Sequence, residues 1–185
     1  MSKNSAAKVM GFTVGLLLCS SISIQVRAED AKPAEVAAPR MEFVYDETVT
    51  LGASIHPGDT PFGERNIVPI TGGTFTGPRL HGKILPGGWD WQLSAKNGCF
   101  FIQANYMIQT DDGAVINVDN RGRSCPKDPA HRGPIYTTPV FEAPLGAYQW
   151  LNGGAYVGTL DVITVDGKTS SPHPFLSHTG LVKVH

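Results

Sequence analysis

Residues Cys99-Phe-Phe-Ile-Gln-Ala-Asn-Tyr-Met-Ile-Gln109 and Ala114-Val-Ile-Asn-Val-Asp-Asn-Arg-Gly-Arg-Ser-Cys125 flank the tetrapeptide Thr110-Asp111-Asp112-Gly113. Two β-rich runs around an Asp-Gly turn signal predict an antiparallel hairpin. With the turn centred on Asp111-Asp112-Gly113, opposed residues have numbers that sum to about 224 or 225. Tyr106 then faces Val118, Ile108 faces Ile116, Ala104 faces Asn120 and Phe100 faces Ser124. The other side pairs Met107 with Asn117, Asn105 with Asp119, Gln103 with Arg121 and Phe101 with Arg123. One side is apolar and one polar, as a half-buried wall requires. Which side looks inward is open at this point: Tyr106 and Asn120 would be the inward polar groups on one reading, and Gln103, Asn105, Asp119 and Arg121 on the other. The same arithmetic sets Cys99 against Cys125 at the open end of the hairpin, within reach of a disulfide.

Outward from the hairpin, short strands alternate with Gly, Pro, Asn and Asp turns. Met41 to Leu51 places Phe43, Tyr45, Val49 and Leu51 at period two. Gly52 to Asn66 reads as a long loop. Ile67 to Gly77 reads as a strand whose Gly72-Gly73 pair marks a bulge, a corner or a close backbone approach. Leu80 to Leu85 and Trp89 to Ala95 follow around Pro86-Gly87-Gly88. Beyond the hairpin come a Pro-rich loop from Pro126 to Pro134, a strand from Ile135 to Ala143, the connection Ala147 to Gly154, a strand from Ala155 to Val165, an irregular stretch from Ser170 to His178, and a short last strand from Leu181 to Val184. After the N-terminus no window has the periodicity of an amphipathic helix. The pattern predicts an all-β fold, an antiparallel barrel or sandwich; the glycine doublets and the need to remove hydrophobic edges favour a single antiparallel β-barrel of about 8 to 10 strands.

Residues 1 to 28 read as a secretory signal peptide. Lys3 and Lys8 precede the apolar segment Val9 to Leu18, and Val26-Arg27-Ala28 supplies the cleavage site. A lipoprotein reading of Leu16-Leu17-Leu18-Cys19 is weaker, because Leu18 is large where a small residue is expected. A membrane-anchoring helix is disfavoured by Ser20, Ser21, Ser23 and Gln25. The expectation is an exported chain, periplasmic or secreted, with cleavage after Ala28, a flexible leader from 29 to 40 and one domain over 41 to 185. The first 28 residues hold three of the 15 basic and none of the 16 acidic residues, so the rest carries a formal charge of −4. With no basic stripe, this argues against nucleic acid as a partner.

A set of blocks resembles the domain-of-unknown-function family 3237: Val49-Thr-Leu-Gly52, Gly63-Glu-Arg65, Pro69-Ile-Thr-Gly-Gly-Thr-Phe-Thr-Gly-Pro-Arg-Leu80, Leu85-Pro-Gly-Gly-Trp-Asp-Trp-Gln-Leu93, Thr110-Asp-Asp-Gly-Ala114, Asn120-Arg-Gly122, Thr137-Thr-Pro-Val-Phe-Glu142 and Trp150-Leu-Asn152. The resemblance covers about residues 42 to 160 and implies a β-barrel of lipocalin-like general shape. It implies no catalytic residues. The chain departs from the family pattern in its export signal, its cysteine pair and the longer tail after Asp166.

The polar residues singled out are Asp90, Tyr106, Asn120, Arg121, Glu142 and Asn152, with Trp91 and Trp150 as apolar walls. Asp90, Tyr106 and Glu142 are the acid–base candidates, while Trp91, Tyr106, Asn120, Arg121, Trp150 and Asn152 are the ligand-binding candidates. Converging in a cup, they can orient or protonate a small aromatic molecule. The structural alternative is that Asp90 and Asp112 hold turns, Arg121 pairs with an acid on the wall and Asn152 caps a loop. Histidines 56, 81, 131, 173, 178 and 185 lack metal-ligand spacing, and no Gly-x-Ser-x-Gly elbow occurs. No metal and no cofactor are expected. The leading reading is a barrel that binds a small apolar or aromatic molecule, as a monomer or homo-oligomer and away from the membrane once the signal is removed. A cofactor-free isomerase, lyase or cyclase is the second reading, and an envelope interaction module with a filled barrel is the third.

Overall fold

A computed structural model describes residues 37–126, 135–163 and 175–185. The expected signal peptide, most of the leader and the loop from 127 to 134 lie outside the described residues. Ten strands occur in chain order: β1 (Met41–Leu51), β2 (Ile55–Thr60), β3 (Gly63–Thr76), β4 (His81–Ile84), β5 (Gly88–Ala95), β6 (Phe100–Thr110), β7 (Val115–Ser124), β8 (Ile135–Glu142), β9 (Ala155–Ile163) and β10 (Phe175–Val184). All pairings are antiparallel, and the sheet runs β1-β10-β9-β8-β7-β6 and then through β4 and β5 to β3, which pairs back onto β1. The result is a closed barrel with eight positions, one of them shared by β4 and β5 in succession. β2 extends the wall beside the first half of β3, where the β1 ladder has ended.

Two expectations are corrected. The stretch from Gly52 to Asn66 is not a loop: β2 and the start of β3 form a hairpin there, with Thr60 opposite Gly63. Its turn residues Pro61-Phe62 lie between two strands, and Thr60 Oγ1 donates to the Gly63 carbonyl at 2.7 Å to close the turn. The last strand is also longer than Leu181 to Val184. Backbone pairing with β1 and β9 extends it back to Phe175, because a strand between two ladders needs no alternation of its own to be held.

The hairpin register follows the turn arithmetic: Phe100↔Ser124, Gln103↔Arg121, Tyr106↔Val118 and Ile108↔Ile116 all sum to 224. The apolar side faces inward. Ile102, Ala104, Tyr106 and Ile108 of β6 are buried together with Ile116, Val118 and Asn120 of β7, whereas Gln103, Asn105 and Met107 are exposed. The Gly72-Gly73 pair is a close approach. A Cβ on Gly73 would stand 2.2 Å from the Thr48 carbonyl oxygen, and the β1–β3 register shifts beside it.

The end of the barrel that carries the β3–β4 and β6–β7 turns is filled with rings. Tyr45 packs on Phe75 at 5.6 Å and on Phe141 at 6.4 Å, and Phe141 meets Tyr156 edge-on at 4.9 Å. Leu151, from a three-residue 3-10 helix (Gln149–Leu151), and Leu80 seal this end.

At the opposite end Cys99 and Cys125 form a disulfide, with Cα atoms 4.2 Å apart. The protein cut to start at Glu29 and then denatured should therefore titrate no thiol before reduction and two after it. In the chain-entropy account, closing this loop contributes on the order of 3 kcal/mol, so reduced protein should unfold at clearly lower urea. Equal thiol counts with and without reductant would refute the pairing.

Candidate functional site

Strand pairing stacks the inward side chains in belts. The lowest of interest joins Ile70 and Gly88 on one side and Tyr106, Val118 and Phe141 on the other. One step toward the disulfide end, a continuous belt runs Val68–Asp90–Ala104–Asn120–Pro139. The next carries Asn66 beside Gln92, and Ile102, Gly122, Thr137 and Gly158 in one row. The upper belts thus carry most of the interior's amide and hydroxyl groups, with only Ala104 standing between Asp90 and Asn120.

The polar belts form a directed chain. The Asn66 amide donates to Gln92 Oε1 at 2.8 Å, and the Gln92 amide donates to Asp90 Oδ2 at 2.7 Å. Asp90 Oδ1, Asn66 Oδ1, Asn120 Oδ1 and Thr137 Oγ1 are buried without a hydrogen-bond partner. Native interiors satisfy nearly all such atoms, so these four are hydrogen-bonding groups available to water or to a guest. Asp90 is only 7 % exposed, and burial pushes its carboxyl above the ordinary carboxylate range. The Gln92 amide and the Gln103 backbone N–H pull the other way without offsetting it.

Below this chamber, Tyr106 Oη donates to Glu47 Oε1 at 2.7 Å across the barrel. Glu47 is 2 % exposed. Burial and then the Glu47 charge hold the Tyr106 phenol well above the ordinary tyrosine range, and Tyr45 beside it is raised by the same two causes. Tyr156 is pushed up to about 12, mainly by burial.

The residues singled out from sequence fall in three places. Asp90, Tyr106 and Asn120 point inward, Asp90 and Asn120 in the chamber's belt and Tyr106 in the belt below it. Trp91, Arg121 and Glu142 lie exposed on the outer wall, with Arg121 held by Asp119 at 2.7 Å. Trp150 and Asn152 sit at the ring-filled end. There Arg79 stacks over Trp150 at 4.1 Å, and the Asn152 amide bridges the backbone N–H and carbonyl of Ala143. Sequence reading missed Glu47, Asn66, Gln92 and Thr137. Glu47 had a visible signal, since it shares the parity of Tyr45, Val49 and Leu51. Among the described residues no group of three or more His, Cys, Asp or Glu side chains is placed to hold a metal ion.

The arrangement sets a buried carboxyl, its pKa raised by burial, among amide and hydroxyl groups, above the Tyr106–Glu47 pair and the apolar side chains that surround it.

The model of the protein family of unknown function DUF3237 matches residues 39–169. The UPF0311 protein RPA1785 of Rhodopseudomonas palustris is 35% identical over 133 residues, covering 64% of this chain and 85% of that protein. Its crystal structure superposes with a TM-score of 0.67 at 28% identity, over 81% of this chain and all of the other. A beta-barrel like protein from Acinetobacter baumannii gives a TM-score of 0.64 at 28% identity, over 80% of this chain and 99% of that one. The hydroalkoxylation enzyme phnH of Penicillium herquei is 26% identical over 138 residues, covering 75% of this chain and 85% of that enzyme.

Two predictions follow from the chamber's electrostatics. A carboxyl whose folded pKa is raised stabilises the fold below its unfolded value of 3.8, and that contribution is lost as pH rises through the folded pKa. Asp90→Asn should therefore be more stable than wild type at neutral pH, and the gap should close below about pH 4 in urea titrations. A gap independent of pH would show that Asp90 is not the titrating group. Tyr106→Phe, which takes the phenol from a buried carboxylate, should cost about 1.5–3 kcal/mol in the same assay.

Proposed function

The chain belongs to the DUF3237 family, and on that footing we propose that its barrel takes in a small aromatic or apolar molecule bearing a hydroxyl group and moves a proton on it without a cofactor. The observation that carries this reading is Asp90, a buried carboxyl anchored through Gln92 and Asn66 and helped by the Gln103 backbone N–H, whose Oδ1 has no close partner among the described residues. A group with its pKa raised toward neutrality is suited to both giving and taking a proton. Asn120 and Thr137 are placed to orient the polar head, and Tyr106, Val118 and Phe141 to hold the body.

The reaction class is suggested by phnH, whose name describes addition of an alcohol across an unsaturated bond. In such a step neutral Asp90 protonates one alkene carbon and the substrate oxygen bonds to the adjacent carbon. The hydroxyl proton then passes to the Asp90 carboxylate, so the acid is regenerated and the product is an isomer of the substrate. The chain's other expected features fit around this reading. Residues 1 to 28 serve as an export signal cleaved after Ala28, and the disulfide is compatible with an oxidising compartment. Among the described residues no helix is long and apolar enough to cross a membrane. Nucleic acid and membrane have no part in the reading.

A carrier without chemistry is the second reading, favoured by the fact that Asn120 Oδ1 and Thr137 Oγ1 can serve binding alone. A panel of alkenyl phenols and alkenyl alcohols incubated in heavy water separates the two. An enzyme yields a cyclised isomer carrying one deuterium on carbon, read by mass spectrometry. Asp90→Asn should slow this by about a hundredfold or more while leaving thermal-shift binding in place. Binding across the panel with no isomerisation would leave the carrier.

A further inference from the structure

We propose that the outer wall of the barrel carries a second ligand site, selective for aromatic anions. A concave groove of about 720 Å³ is lined mostly by outward-facing side chains of β3 and β5 to β9, and at its floor it also touches Ile102, Gly122 and Thr137 of the inward row. A ladder row forms its floor: Leu93 pairs with Phe101, Phe101 with Arg123 and Arg123 with Tyr136, while Arg65 stands opposite Leu93. The β5–β6 pairs Asp90↔Ala104 and Leu93↔Phe101 keep one register, which puts Trp91 and Leu93 on the same outer face as Phe101. This volume is in the range that encloses a small organic molecule.

The lining chemistry selects the ligand. Trp91 and Tyr136 are 48% and 59% exposed and, with Phe101, offer ring faces. Among the described residues, three guanidinium groups and no acidic side chain line the groove. Arg121 is committed to Asp119, but Arg65 makes only a 3.5 Å contact to the Gln92 carbonyl. Arg123 has no hydrogen bond or ion pair to any of the described residues. Two guanidinium groups without an acidic partner among the described residues, beside three rings and in a chain of net negative charge, fit a planar ring carrying a carboxylate. The ring stacks on the aromatic faces and the carboxylate takes a paired contact from a guanidinium fork. The groups that select this ligand differ from those of the chamber: Trp91 and Asp90 are neighbours in sequence but point to opposite faces of the wall, and the guanidinium groups stand on the Trp91 face.

Calorimetric titration with naphthoate and with neutral naphthamide tests the assignment on wild type, Arg123→Gln and Trp91→Ala. Naphthoate should bind about tenfold or more tighter than naphthamide. Arg123→Gln should erase that difference, and Trp91→Ala should weaken both ligands. Asp90→Asn should bind naphthoate as wild type does, and Arg123→Gln should leave any isomerase turnover unchanged, so failure of one site is distinguishable from failure of the other. Circular dichroism of each variant confirms that loss of binding is not loss of fold. Equal affinity for the two probes, or naphthoate binding that ignores Arg123→Gln, overturns the proposal. So does a wild-type dimer by light scattering that takes up no naphthoate, since the groove would then belong to a second copy.

Discussion

The pairing of β1 on both of its edges is the constraint on which the rest depends. One edge of this strand meets β10 and the other meets β3, so the sheet has no free seam along it. Closure obliges every strand to send one parity of side chains into a single interior. That interior must accommodate whatever the parity delivers, including Glu47 on β1 and Asp90 on β5. A buried carboxylate is tolerable when a donor meets it, and Tyr106 meets Glu47 from across the barrel. The polarity of the chamber is therefore not a local accident of one loop. It is set by strands on opposite sides of the wall, each fixed in register by its neighbours.

How much of this could be read from the chain depended on whether a residue's direction was decided locally. The β6–β7 register was legible because a two-strand hairpin with a clear turn fixes its own pairing, and the cysteine pair followed from it. The barrel was legible from strand count and punctuation. Asn120 could be placed because it shares parity with Val118 and Ile116. Trp91 could not be placed correctly by hydrophobicity. β5 carries its large apolar residues Trp89, Trp91 and Leu93 outward and its polar Asp90 and Gln92 inward, the reverse of the usual rule. That inversion is set by pairing with β3 and β6, which no window on β5 alone can reveal. Glu142 is likewise outward because it alternates with the buried Phe141, and Asn152 is spent on the backbone of Ala143.

The inversion on β5 also explains why the two faces of the same wall have different chemistry. Placing aromatic and basic residues outside leaves the inside with a carboxyl and amides, and the division is enforced by the two-residue period of the strand. A single-residue slip of β5 would exchange the two sets. The Gly88 backbone guards against this, since a Cβ there would lie 2.6 Å from the Tyr106 Cβ.

The meeting of β1 with β10 has a kinetic side. Arg40 and His185 exchange backbone hydrogen bonds at 3.1 and 2.8 Å, joining positions far apart in the chain. The barrel's seam is thus its longest-range contact, and the entropy of bringing those segments together must be met before the seam's ladder forms. Hairpins such as β6–β7 can form early on local contacts, whereas the interior cannot be sealed until the last strand is in place.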